Sequence, residues 1–111
     1  KIVLQKVLQL KFRMHFVYII YSKSVDKYYI GESEDVKARI KLHNQGLIKS
    51  AFTRIAKDWK LVFKHKCKNR QEALFLERFI KRMKSRKFIE KLISNPEISA
   101  DFLVKQKDEY R

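Results

Sequence analysis

Tyr18, Tyr29, Arg39, His43 and Glu77 are spaced so that proton-moving and charge-neutralising groups can meet. The tyrosines stand in two short runs, Phe16-Val17-Tyr18-Ile19-Ile20-Tyr21 and Lys27-Tyr28-Tyr29-Ile30-Gly31. If these are hairpin arms with the midpoint between Lys23 and Ser24, the two phenols lie directly opposite one another. A slip of one residue turns one of them to the other face, and plain cross-strand packing is the alternative. Arg39 and His43 recur at i and i+4, and at about 100° per residue they share a side with Val36 and Ile40. They either point into a cleft between helix and sheet or snorkel past the core. Glu77 borders a stripe of Ala73, Leu76, Phe79, Ile80 and Met83, with Lys81 one turn on. Its ordinary role would be a surface ion pair worth about 0.3 to 0.5 kcal/mol. Glu72, on the opposite side of that helix, is expected to face water.

Together these residue types form a set able to cleave a phosphodiester. A water must lose its proton, a pentacovalent phosphate must be neutralised and a leaving oxygen stabilised. A phenol with a pKa of about 10 is ionised to about one part in a thousand at neutral pH, a deficit of roughly 4 kcal/mol. A metal or nearby cations must offset it, and Arg39 is the cation at hand.

The charge balance points to the same partner. Lys and Arg number 27 against 12 Asp and Glu, giving +15 over 111 residues. Such self-repulsion is usually retained for a polyanion, with nucleic acid first. Lys81, Arg82, Lys84, Arg86 and Lys87, with Arg54 in an upstream loop, are the candidate phosphate-binding surface; a solvated helix end is the alternative. The cations run through the chain rather than along one face of an amphipathic helix. No stretch approaches roughly 20 apolar residues, and Lys1-Ile2-Val3-Leu4-Gln5-Lys6 lacks a signal-peptide layout. No membrane association and a cytoplasmic location are expected. The single cysteine, Cys67, forms no internal disulfide or zinc cluster and reads as a small strand hydrophobe.

The length suits one domain. Residues 1–13 precede Met14 and read as an N-terminal extension, either upstream sequence or residues added in cloning. Ile2, Val3, Leu4, Val7, Leu8 and Leu10 make it apolar enough to add an element to the core or to mediate a dimer contact. Strands are predicted over 15–21 and 27–31, joined by a turn at Lys23 to Asp26. Ser33 is expected to cap a helix with Glu34 and Asp35 in its first turn, running to about Asn44 and stopped by Gly46. A loop around Ser50 to Arg54 precedes a strand over 59–67. Asn69 then opens a long helix, and a shorter one spans Arg86 to Ser94 and is closed by Pro96. Residues 97–111 read as a docked helix or a frayed tail. The order β-β-α-β-α-α implies an α+β fold, a three-stranded, mostly antiparallel sheet flanked by helices over residues 14–96.

Phe16-Val17-Tyr18 and Tyr29-Ile30-Gly31, followed by Arg39, His43 and Ala73-Leu74-Phe75-Leu76-Glu77 with Ile80-Lys81, resemble the motifs of the GIY-YIG nucleases. Within them the chain is similar to the small single-domain branch that resembles the nuclease domain of the bacterial excision-repair endonuclease. The resemblance covers about Met14 to Pro96 and implies the GIY-YIG fold. It implies that Tyr18 or Tyr29 is the general base or positions the water, that Arg39 stabilises the phosphorane, and that His43 assists proton transfer or contacts phosphate. Glu77 would hold a single Mg²⁺ or Mn²⁺, which suits a lone carboxylate because magnesium keeps most of its waters. DNA, in branched, damaged or single-stranded form and in a setting of repair or recombination, is the implied substrate. A catalytically weak or inactive nucleic-acid-binding module using the same cleft is the alternative. RNA, with Phe52 and Trp59 stacking bases, ranks below DNA, since Trp59 opens a strand and suits the core. Phe16 stands where the motif carries glycine, and a carboxylate at Glu32 would raise the pKa of a neighbouring tyrosine.

Overall fold

The computed structural model describes residues 14–48 and 52–110. The extension at 1–13 lies outside the described residues, as do 49–51 of the loop before Arg54. Apolar β-branched and aromatic residues on both faces of the first run make β1 (His15–Ser22) the central strand. It pairs antiparallel with β2 (Lys27–Ser33) on one side and β3 (Lys60–Cys67) on the other, giving the sheet order β2-β1-β3. Helices α1 (Val36–Asn44), α2 (Arg70–Met83), α3 (Arg86–Ser94) and α4 (Pro96–Tyr110) complete the α+β fold, with a 3-10 turn at Phe52–Ile55 between α1 and β3. No helix among the described residues is long and apolar enough to cross a membrane.

The sheet carries two unequal layers. On one face Val17, Ile19, Ile30, Phe63 and Cys67 bury against Ala73, Leu76 and Ile80 of α2, Leu92 of α3 and Leu103 of α4. Phe79, Phe88 and Phe102 meet with ring centroids 6.0–6.2 Å apart and lock the three helices together. On the other face Tyr18 and Ile20 pack under Val36, Ala56 and Trp59, a thinner cover made by α1 and the 3-10 turn. Cys67 is buried here as an ordinary strand residue, its thiol pushed up to about 11 by that burial.

Several local expectations are corrected. The hairpin turns where expected, over Lys23 to Asp26, but its midpoint lies between Ser24 and Val25, so Ser22 pairs with Lys27 and the register moves by two. Tyr18 therefore faces Gly31 and Ile20 faces Tyr29, leaving the two tyrosines diagonal neighbours on the same face. Ser33 does not cap α1, because it stays paired with Phe16 in the sheet. The cap is Asp35, whose carboxylate accepts from the Ala38 amide at 3.0 Å, so neither Glu34 nor Asp35 lies in the first turn. Gly46 does end the helix, with φ +70°. Met83 leaves the apolar stripe at 45% exposure, since α2 ends there with Lys84 in the left-handed region at φ 48°. Pro96 opens α4 as well as following α3, in the first helical position where its missing N–H costs nothing. Residues 97–110 are thus helical, and Leu103 docks the helix.

Glu72 is buried rather than turned to water. Its Oε1 accepts from the Lys68 amide and from Lys107 Nζ, each at 3.0 Å, tying the start of α2 to α4. Helical periodicity could not foresee this, because the partner comes from a helix 35 residues later.

Candidate active site

Tyr18 sits in mid-β1, buried on the thinly covered face. Its ring passes across β2 where Gly31 stands, and a Cβ there would lie 2.6 Å from Tyr18 Oη and 2.7 Å from Cζ. The glycine of the second motif is required by that close approach, not by its backbone angles. The phenol meets His43, in the last turn of α1, with Oη 2.8 Å from Nε2. His43 Nδ1 in turn lies 2.6 Å from Thr53 Oγ1 on the 3-10 turn, and all three side chains are buried. Trp59 holds that turn by donating from Nε1 to the Thr53 carbonyl at 2.8 Å. Asn44 clasps the Trp59 backbone, accepting from its N–H at 2.7 Å and donating to its carbonyl at 3.0 Å. The end of α1 and the turn are thereby fixed to each other, and the Tyr18-His43-Thr53 chain with them.

Burial pulls His43 down to about 4, with the Arg39 charge adding to the effect, so the imidazole is neutral near pH 7. A neutral ring has one donor and one acceptor nitrogen, and so can donate on one side of the chain while accepting on the other. Burial likewise pushes the Tyr18 phenol up, helped by Tyr29 and Glu77. Arg39 opposes this with its charge. Arg39, an exposed residue of α1, and Glu77 of α2 therefore both act on the Tyr18 hydroxyl. Tyr29 stands beside the chain, its ring 5.0 Å from the His43 ring at 62°.

At the outer edge of β2 the two layers meet. Lys81 Nζ lies 5.7 Å from the Tyr29 ring centroid and 2.6 Å from Glu77 Oε2. The Glu77 side chain is 17% exposed, so the pair is half-buried rather than the open surface pair its spacing suggested. Glu32 is not part of this site. It points to the thick-layer side of the sheet, where its carboxylate meets His15 Nδ1 at 3.2 Å and Arg70 Nε at 3.4 Å. Alternation along β2 turns it to the face opposite Tyr18, since Glu32 pairs with Val17 and Tyr18 with Gly31. Phe16 lies opposite Ser33, its ring covered by Lys64 Nζ at 5.0 Å.

The basic residues divide. Lys81, Lys84 and Arg86 line an open groove of about 360 Å³ along β2, together with Lys27, Tyr28, Ile80 and Phe52. Arg82 lies on the outer surface of α2 beside Arg78, and Lys87 lines a separate hollow with Glu90 and Lys91. Arg54 is exposed on the 3-10 turn. Arg86 is already engaged: Nη2 meets Asp26 Oδ1 at 2.5 Å, Nη1 donates to the Asp26 carbonyl at 3.0 Å, and the guanidinium covers the Tyr28 ring at 5.1 Å. It ties the hairpin turn to α3.

Thr53 was missed by sequence reasoning, since a threonine in a loop carries no periodicity and its role appears only when His43 is placed against it. No group of three or more His, Cys, Asp or Glu able to hold a metal exists among the described residues. The lone Glu77 carboxylate fits a hard, water-retaining divalent ion whose other ligands are waters and phosphate, and fits nothing that needs a protein cage.

A central strand thus presents a buried tyrosine over a motif glycine, hydrogen-bonded to a helix histidine, within an α+β domain. The model of the GIY-YIG catalytic domain matches residues 14–91, and the chain belongs to that family, whose members are endonucleases. Nucleic acid is accordingly its substrate class. A solution NMR structure of a UPF0213 protein from Bacillus halodurans is 33% identical, covering 73% of this chain and 83% of the other, with a TM-score of 0.46. No curated protein gives a significant match.

Proposed function

We propose that this protein is a divalent-metal-dependent DNA endonuclease in which Tyr18 is the proton-accepting phenol. The observation that carries the reading is the buried Tyr18-His43-Thr53 chain, with Arg39 and Glu77 both acting on its phenol end. As water attacks phosphorus, its proton passes to Tyr18 Oη while the phenol proton passes to His43 Nε2. His43 Nδ1–H then donates to Thr53 Oγ1. An imidazolium at His43, whose pKa is held to about 4, costs roughly 4 kcal/mol near pH 7, no less than an ordinary phenolate, so both proton shifts must accompany the attack and rely on the cations at the phosphate. Arg39 offsets the growing charge on the phosphate oxygens. A divalent ion held by Glu77 supplies neutralisation of the phosphate and the departing oxygen. Branched, damaged or single-stranded DNA of the kind met in repair or recombination is the intended substrate, and the cytoplasm the intended compartment.

The 2.6 Å Lys81–Glu77 contact favours one other reading, in which the carboxylate stays paired and the cleft only holds nucleic acid. Incubation with supercoiled plasmid, with Mg²⁺ or Mn²⁺ and with chelator, beside a Glu77→Ala variant, separates the two. Metal-dependent nicking lost in the variant is expected. Salt-sensitive binding without nicking, unchanged by the substitution, would sink the endonuclease reading in favour of the binding module.

A further inference from the structure

We infer that Phe52 is a stacking platform for an unpaired DNA base next to the scissile phosphate, so that this cleft selects DNA with single-stranded character. The inference deepens the endonuclease reading and takes from it only the position of the scissile phosphate. Phe52 is 46% exposed and lies nearly parallel to the Tyr29 ring, at 14° and 6.4 Å between centroids. Trp59 backs it from inside at 6.3 Å. A half-exposed phenyl ring held beside two other aromatics is the kind of platform on which a base stacks without sequence preference.

Its surroundings name the ligand. Phe52 forms one wall of the groove along β2, where Lys27, Lys81 and Lys84 supply cations for a phosphate backbone. A lipid or protein partner of purely apolar character would not be met by that charge. The ring also stands next to the chemistry, since Tyr29 lies between it and His43, at 6.4 Å and 5.0 Å respectively. The neighbouring Thr53 carries the relay, so one short turn positions both the platform and the proton chain. Inside a duplex both faces of a base are already stacked, and only a flap, gap, fork or flipped nucleotide can offer one to Phe52.

The test is binding in chelator, so that a protein that never cuts is still informative. A fork carrying 2-aminopurine in its single-stranded arm and a fully paired duplex of the same sequence are titrated at fixed ionic strength. The expected results are quenching of 2-aminopurine on binding and fork affinity lowered about 5- to 150-fold by Phe52→Ala, the range of one base stacked on one ring. Phe52→Trp should restore it, and duplex affinity should change little. Absence of quenching, equal losses on fork and duplex, or a Phe52→Ala variant that binds the fork like the parent would overturn the inference while leaving the endonuclease reading intact. Tighter binding of the matched RNA strand would overturn the assignment to DNA.

Discussion

His43 is where local chemistry and stability meet most directly. It is neutral when folded, its pKa drawn from 6.5 to about 4, whereas the unfolded chain takes up a proton through the ordinary range. The unfolded state therefore binds more protons between those values, and stability falls as pH drops through that window and is flat above it. Urea unfolding should lose roughly 2 to 3 kcal/mol from this group between about pH 7.5 and pH 4.5. His65, also held low by burial and by Lys107, adds a loss of the same sign. His43→Gln should flatten the pH dependence by the His43 share alone; an unchanged slope would mean that the ring is charged or solvated in the folded protein.

Elements position these residues, and Gly31 is the most exacting point in them. Gly31→Ala should cost about 1 to 3 kcal/mol through overpacking against Tyr18, because a ring fixed by His43 cannot move aside freely. Plasmid nicking should fall with it, and thermal melting beside the cleavage assay checks both. The hairpin shows why some of this was legible and some was not. The tyrosines, Gly31, Arg39 and His43 could be placed on the right strands and helix from alternation and helical spacing. The pairing of Tyr18 with Gly31 was missed although the turn at Lys23 to Asp26 was legible, because the midpoint was set between Lys23 and Ser24 rather than at the centre of those four residues. In the same way Asn69 announced the start of α2 through its cap. Asp35 was hidden behind the equally plausible Ser33, which the sheet retained. Glu72 was misread because its environment is supplied by α4. Lys107→Met, which leaves that carboxylate buried without its ammonium, should destabilise the fold by about 3 to 5 kcal/mol in denaturant titration.

For the molecule as a whole, the +15 charge sets the expected salt response. Log affinity for DNA should fall with log salt at about −0.9 per phosphate contacted, and Lys84→Ala should reduce that slope by about one contact. Arg86 substitutions should act first on the Asp26 tie between hairpin and α3, and so on stability as well as binding. The two layers also differ in how firmly they hold the hydrogen-bonded Tyr18-His43 pair. Tyr18 is mounted on β1, bonded along both edges and covered by three helices on its far side. His43 is mounted on α1, nine residues long and held mainly by Val36, Ile40 and the Asn44 clasp. Such a helix can open while the sheet stays closed. Warming should therefore separate imidazole from phenol before the core melts, so that the enzyme falls silent at a temperature where its β-sheet is still intact.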